Sequence, residues 1–450
     1  MAQRFSRICM ASILIGYGGL TATAGTLTLP EQLAALDQRI ESLQSEVKTL
    51  KAQLKQQGHA ARGVPARSSG HADPITTSNT TQLYSEYDGS DLVVSYSSMN
   101  PDLKILRQRA QWGNRAQHGA FRPNIMLSGG LEAQAQWLHD ASSESADIDL
   151  TRLELDILSE ISPWISVMAT FNYDSGTAAT LDVASEERIE NSAVKLKRAF
   201  VTLGQLKQSP WYLSVGQLHM PFGRYSSLML SAADTRRIGR ITGRGVVVGY
   251  DGSAASGDGW VSQAFIMQGK SNILTQKRHL DQVGASAAWM HHFKAQQYLQ
   301  MGGGWVRNIA DADSVFNGLY DFWDDSNTLK HRVPGLDAYM VVGNGPWRLG
   351  MEYVGTLRRL EYNTENFGHY HSIQASLDYA MDAHHIPSNL YAVYGHTHAD
   401  NNDQAGLAYW ATGAYMHLWK NTMQALEYRF NDLKSGGHEH QLLMQIGAYF

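Results

Sequence analysis

The sequence predicts an all-β fold: a transmembrane antiparallel β-barrel of about sixteen strands, with an N-terminal α-helical coiled-coil extension. Three observations carry this expectation. From Arg122 to Phe450 apolar residues alternate with polar ones at period two. A secretory signal stands ahead of them, and no run of about 18 apolar residues follows it that could form a spanning helix. The composition holds 41 Gly, 21 Tyr and 11 Trp against 11 Pro, a texture that suits many strands with aromatic girdles.

Residues 1–24 read as a signal peptide. Arg4 and Arg7 make the positive end, Ile8 to Leu20 the apolar stretch, and Ala22-Thr23-Ala24 the cleavage site. The single cysteine, Cys9, falls inside this segment, so the mature chain crosses into an oxidising compartment without any disulfide to stabilise it. Losing Arg4 and Arg7 takes the formal charge from −5 to −7. That mild acidity gives no electrostatic footprint for nucleic acid.

Residues 29–57 form a separate unit. Leu29, Leu33, Leu36, Ile40, Leu43, Val47, Leu50 and Leu54 alternate four and three apart, an a/d seam with polar residues between. The expectation is a periplasmic coiled coil that assembles the protein, with a homotrimer as one possibility; a single amphipathic helix lying on the body is the alternative. Residues 58–121 are a linker and barrel-mouth segment. The first part (58–78) is small and polar, and "LKILRQRAQWGNRA" (Leu103 to Ala116) has the composition of a helix at the mouth or inside a barrel.

The barrel occupies 122–450. In "NIMLSGGLEAQAQWL" Ile125, Leu127, Leu131, Ala133, Ala135 and Trp137 share one face. In "TRLELDILSEI" Leu153, Leu155, Ile157 and Ile161 oppose Arg152, Glu154, Asp156 and Glu160. After the turn Ser162-Pro163-Trp164, Ile165, Val167, Ala169, Phe171 and Tyr173 line up again. Similar segments recur near 193–203, 211–219, 238–250, 259–268, 281–291, 297–308, 335–343, 347–357, 370–380, 389–398, 406–418, 421–431 and 439–450. In a soluble sandwich the polar face would look to bulk water and the apolar face to a core. Here the polar face carries many charges and the other is aliphatic with aromatics at its ends, which fits lipid outside and a charged aqueous lumen inside. The last segment, "QLLMQIGAYF", puts Leu442, Met444, Ile446, Ala448 and Phe450 on one face, and reads as the signal used by outer-membrane assembly machinery.

No catalytic signature is present: no G-x-S-x-G, no H-E-x-x-H, no phosphate loop and no cysteine pair. No enzyme activity, cofactor or metal is expected. The histidine groups His291-His292, His369/His371, His384-His385, His396/His398 and His438/His440 include H-x-H pairs whose imidazoles share a strand face; such pairs can ligate a metal, though loop or interface placement is the commoner reason for them. Two arginine groups are the ligand-binding candidates: Arg236, Arg237, Arg240 and Arg244, and Arg358 with Arg359. Facing a lumen, guanidinium forks would attract anions and grip carboxylate, hydroxamate or phosphate oxygens. Turn or interface charges paired with nearby acids are the competing reading.

"VGQLHMPFGRYSS" (Val215 to Ser227), a strand ending in G-Q-x3-P-F-G, is similar to the phosphate-selective and related sixteen-stranded porins. "DGSDLVV" (Asp88 to Val94), "IDLTRLELDI" (Ile148 to Ile157), "RAFVTLG" (Arg198 to Gly204), "RNIADAD" (Arg307 to Asp313) and "GMEYVGTLRR" (Gly350 to Arg359), in that order behind a coiled coil, together resemble the LbtU family of siderophore porins. The resemblance implies outer-membrane import of ferric siderophore in a Gram-negative bacterium, and brings no residue-level site with it. A general or anion-selective porin passing small anions, and an envelope tether or adhesin, are the alternatives. The chain is too short for a plug domain plus a 22-stranded energised receptor, so transport would be passive or coupled by another route.

Overall fold

The computed structural model describes residues 101–112 and 123–450, except 141–143, 175–192, 226, 255–256, 272–279, 295, 314, 316–327, 363–365, 384–385, 400–405, 420 and 434–436. The expected signal peptide, coiled coil and linker, and His384-His385, lie outside the described residues.

The strands are β1 (Asn124–Asp140), β2 (Glu144–Ser162), β3 (Ile165–Asp174), β4 (Ala193–Gly204), β5 (Trp211–His219), β6 (Thr242–Asp251), β7 (Gly259–Gln268), β8 (Leu280–Lys294) and β9 (Gln297–Val306). Then come β10 (Gly335–Asn344), β11 (Trp347–Thr356), the short β12 (Leu360–Glu361) and β13 (Asn366–Gly368), β14 (Tyr370–Ala383), β15 (Ile386–Ala399), β16 (Gly406–Met416), β17 (Thr422–Leu433) and β18 (His438–Tyr449). All but β12 and β13 form one closed antiparallel barrel of sixteen strands, each paired with its neighbour and β1 with β18. At the seam Gly130 stands opposite Tyr449 and Asp140 opposite Glu439, while Gly129 and Phe450 exchange backbone hydrogen bonds of 3.0 and 3.1 Å.

Alternation decides which residues meet lipid. Leu153, Leu155, Val215, Met351, Leu377, Leu426, Met444 and Ile446 are exposed, whereas Arg152, Glu154, Asp156, Glu352, Asp378 and Glu427 on the other parity are buried within the barrel. Ile446 is 53% exposed and Phe450 64%, which in water would waste apolar surface and in a bilayer does not. Trp164, Trp211, Trp260, Trp347 and Trp419 ring the end with short turns; Trp137, Trp305 and Trp410 ring the end with longer loops. A closed barrel with an apolar outer band between two aromatic girdles is the outer-membrane architecture, its short turns periplasmic and its long loops outside. The chain is an outer-membrane β-barrel of a Gram-negative cell, with a channel fold.

Two elements fill part of the interior. Helix α1 (Pro101–Trp112) carries Pro in its first turn, Asp102 bonding the Leu103 N–H at 2.9 Å, and Arg109 in its last turn, all placements that favour a helix. Its buried Leu103 and Leu106 pack with Tyr212, and Ile105 joins Leu158, Met168 and Phe200. Arg107 grips Asp251 in bidentate fashion at 2.7 and 3.1 Å. Arg109 meets Glu160 at 2.8 Å and the Ser162 and Pro163 carbonyls at 2.9 and 3.0 Å. The helix therefore lies inside the barrel at its short-turn end.

The second element is the connection between β5 and β6. The period-two pattern near 238–250 becomes strand only from Thr242; before it, Asp234–Gly239 forms a short helix, α2. Residues 220–241 leave the wall and fold into the lumen, where Met220, Phe222, Ile238 and Ile241 are fully or almost fully buried. They share one apolar cluster with Phe200, Val247, Phe265 and Met267 of the wall and with Ile309, Ala310, Leu329 and Val333 of the β9–β10 connection. Burying each such large side chain is worth about 1.5–3 kcal/mol. The interior beside β2–β11 thus holds an apolar cluster alongside buried charged groups such as Arg152, Glu154, Asp156, Arg198 and Glu352, where alternation alone implied an aqueous face.

Candidate functional site: a segment folded across the barrel lumen

The G-Q-x3-P-F-G stretch launches the segment. Gln217 caps the carbonyls of Leu196 and Lys197 at 2.8 and 3.0 Å, next to the irregularity where β4 slips against β3. Phe222 is wholly buried. Gly223 has φ +79°, and a Cβ there would lie 2.0 Å from the Tyr225 ring, so only glycine turns the chain inward at this point. Tyr225 itself adopts φ +52°, held by what its backbone meets across the lumen.

That partner is Glu352 on β11. Its carboxylate accepts the Arg224 N–H at 2.7 Å and the Tyr225 N–H at 2.9 Å. Glu427 on β17 does the same further along, accepting Leu230 N–H at 2.7 Å, Ser231 N–H at 3.2 Å and the Tyr391 hydroxyl at 2.6 Å. The Ser231 hydroxyl also donates to Glu427. Asp234, at the start of α2, takes the Thr397 hydroxyl at 2.8 Å and lies 3.6 Å from Arg429 and 3.9 Å from Arg237. Arg429 donates to the Ala232 carbonyl at 3.2 Å and stacks over Tyr409 at 4.1 Å. Segment 220–241 thus spans the lumen from β5 and β6 to β11 and β14–β17, pinned by carboxylates bonded to its backbone. Hydrogen bonds to a charged group contribute about 1.5–3 kcal/mol each.

The six arginine candidates fall in four places. Arg236 and Arg237 ride on α2 inside the barrel; Arg236 is half-buried and Arg237 exposed. Arg240 closes the segment in an ion pair with Asp313, at 3.1 Å. Arg244 stands on the outward parity of β6, exposed and bonded to Gln217 at 3.2 Å, so it faces the membrane interface. Arg358 and Arg359 are exposed in the connection after β11, outside the barrel wall. The lumen also holds two arginines that were not among the candidates, Arg224 and Arg429. Arg224 donates to Gln300 and lies 5.8 Å from the Tyr339 ring.

Asp313 ties the external connections together. It accepts Thr242 N–H at 2.8 Å and hydroxyl at 2.6 Å, and pairs with Lys270 at 2.7 Å. Asp311 accepts the Lys270 and Ser271 N–H groups at 2.9 and 2.8 Å. The "RNIADAD" stretch is thus a junction of three loops. Burial pushes the Asp313 carboxyl up, but Lys270 and Arg240 outweigh it and hold the group below the usual carboxylate range.

On the inner faces of β2, β4 and β11, Arg198 faces Glu154 and Asp156 at 3.4 and 3.8 Å, Arg152 faces Glu132 and Glu154 at 3.0 and 3.2 Å, and Arg348 faces Asp378 at 3.5 Å. Among the described residues no group of three or more His, Cys, Asp or Glu side chains is arranged to hold a metal.

No family model matches the chain. A Coxiella burnetii protein named UPF0422 protein is 24% identical over 438 residues, covering 94% of this chain and 91% of that protein. A UPF0422 protein of Legionella pneumophila is 26% identical over 368 residues, covering 76% of this chain and 66% of that protein. Among solved structures, the outer membrane channel DcaP of Acinetobacter baumannii aligns with a TM-score of 0.47 at 13% identity, over 73% of this chain and 97% of that one. An anion-selective porin from Comamonas acidovorans aligns with a TM-score of 0.49 at 10% identity, over 73% and 100%.

Proposed function

We propose that the protein is a passive outer-membrane channel for small anionic solutes, with α2 as its selecting element. One observation carries this: the wall carboxylates Glu352 and Glu427 are engaged in holding the inserted segment, and Asp234 on the segment is engaged with Thr397 and Arg429, while the Arg237 side chain, 3.9 Å from Asp234, stays 56% exposed. A guanidinium on a fixed helix at a narrowing attracts anions and repels cations. The apolar filling beside β2–β11 reduces the free cross-section and favours small solutes.

The ferric siderophore implied by the family resemblance is the narrower form of this reading, since hydroxamate and carboxylate oxygens suit arginine forks. A homotrimer assembled through residues 29–57, surrounded by outer-membrane lipid, completes the proposal. The deciding experiment is the reversal potential of single channels in a salt gradient. Wild type is expected to prefer chloride, and Arg236→Gln/Arg237→Gln to lose most of that preference with conductance little changed; equal selectivity in both would remove α2 from the role. Uptake of radioactive ferric iron, with and without the organism's own siderophore, then separates the cargoes. Loss confined to the siderophore condition in cells lacking the gene, and recovery on restoration, selects the chelate.

A further inference from the structure

We propose that the outward histidines at the long-loop rim of β14, β15, β18 and β1 form a belt that binds phosphate groups of outer-leaflet lipids, more tightly in mild acid. The belt is separate from the lumen and independent of the solute reading.

Strand parity places these side chains. Ser372 and Thr397 point into the barrel, where they bond each other at 3.0 Å, so His371, His396 and His398 point out. Leu443 is buried inside while Met444 and Ile446 are exposed, so His438 and His440 share the outward parity. His139 shares it with the exposed Leu131 and Trp137.

Register then brings four of the six together in two pairs. His371 stands opposite His398 with ring centroids 5.1 Å apart. His139 stands opposite His440 at 6.3 Å. Between the pairs lie Tyr394 against Trp410 at 4.5 Å, and Phe430 at 5.3 and 5.2 Å from His438 and His440. These aromatics set the level of the belt at the bilayer interface. With strands about 4.8 Å apart, six adjacent strands give an arc of roughly 24 Å, room for several headgroups.

Among the described residues, these charges stand around the belt. Asp432 lies 3.4 Å from His438. Glu144 stands opposite His139 and accepts the Trp137 indole N–H at 2.9 Å. The Tyr428 hydroxyl is 2.7 Å from His440 Nδ1, and Tyr353 flanks His371 at 6.2 Å. Asp140 and Glu439 take the inward parity. Among the described residues, the outward side of this rim thus carries two acids and six imidazoles, and imidazole as a class takes up a proton in mild acid. A lipid phosphate is the anion present at that depth, and a charge-assisted hydrogen bond from imidazolium to phosphate is strong where water is scarce. Among the described residues, the long-loop rim of β2–β11 offers no solvent-exposed strand histidine, so the belt covers one side of the barrel.

The test uses the full chain incubated with phosphatidylcholine vesicles containing bisphosphorylated lipid A, or lacking it, with lipid retained after detergent exchange as the readout. Wild type is expected to keep several-fold more lipid A at about pH 5.5 than at about pH 7.5, and His371→Gln/His398→Gln/His438→Gln/His440→Gln to keep the same amount at both. Single-channel conductance reports that the variant is folded; should it fail to insert, His371→Gln/His398→Gln alone should lose a clear part of the difference. Equal retention by wild type at both pH values overturns the proposal, as does an unchanged difference in the variant. Displacement by modest inorganic phosphate would make the belt a free-anion site, and loss on adding a chelator would make it a metal site; either result also overturns it.

Discussion

The two halves of the barrel wall share one outer surface and have different inner ones. Outside, Leu155, Val201 and Val215 on one half and Leu377, Leu390 and Met444 on the other are equally exposed to lipid. Inside, β2–β11 present Leu158, Met168, Phe200, Val247, Phe265, Met267, Val306 and Val354 to a core made by α1 and the inward connections. The strands β14, β15 and β17 present Gln374, Asp378, Asn389, Glu427, Arg429 and Asn431. The difference teaches how one segment serves two walls. Segment 220–241 packs against both, Phe222 and Ile238 joining the β2–β11 cluster and Leu228 packing with Tyr391, Val393, Tyr409 and Ala411 of β15 and β16, while Glu352 and Glu427 hold its backbone.

The largest test of that contrast removes the segment. Replacing 222–240 by a short Gly-Ser link should raise single-channel conductance several-fold, because the apolar cluster loses the chain that bridges to the far wall. Unchanged conductance would mean that the segment is not the narrowest point. A smaller effect is expected when the segment stays but its fastenings go. Glu352→Gln/Glu427→Gln keeps the shape and removes the charge, weakening each backbone bond by about 1 kcal/mol. Open-channel noise should increase and the melting temperature should fall by a few degrees; a quiet channel of wild-type conductance would show that apolar packing alone holds the segment.

The smallest effect concerns the junction at Asp313. A carboxyl held below its ordinary value contributes stability above the unfolded pKa, near 3.9, and loses it as pH falls through the folded value. The loops should therefore resist added protease down to about pH 4 and loosen only in stronger acid. Asp313→Asn should show the loosened pattern at neutral pH, and identical protection in the two proteins would assign the junction to Asp311 and its two N–H partners.

Much of the barrel was legible. Strands such as β5 and β7 sit at the boundaries their alternation implies, because a residue facing lipid and its neighbour facing inward obey opposite rules. The inserted segment was not legible. Its alternating stretch from Ile238 merges with β6, and its arginines read as one cluster although they part into lumen, junction and outer rim. Its direction is set by Glu352 and Glu427, which lie 127 and 197 residues from their partners Tyr225 and Leu230, beyond any local pattern. Glu352 stood within the quoted "GMEYVGTLRR", but a lone carboxylate on a strand does not say which backbone it will hold. Arg429 was overlooked for the same reason.

Seen as a mechanical part, the inserted chain is a cross-brace on a cylinder. A thin-walled tube under lateral pressure flattens into an oval unless something joins opposite walls. Here Phe222 and Ile238 seat one end, and Glu352, Glu427 and Asp234 fasten the other. The residues that fasten the segment therefore also tie one side of the barrel to the other, a brace against flattening under the tension of the surrounding bilayer.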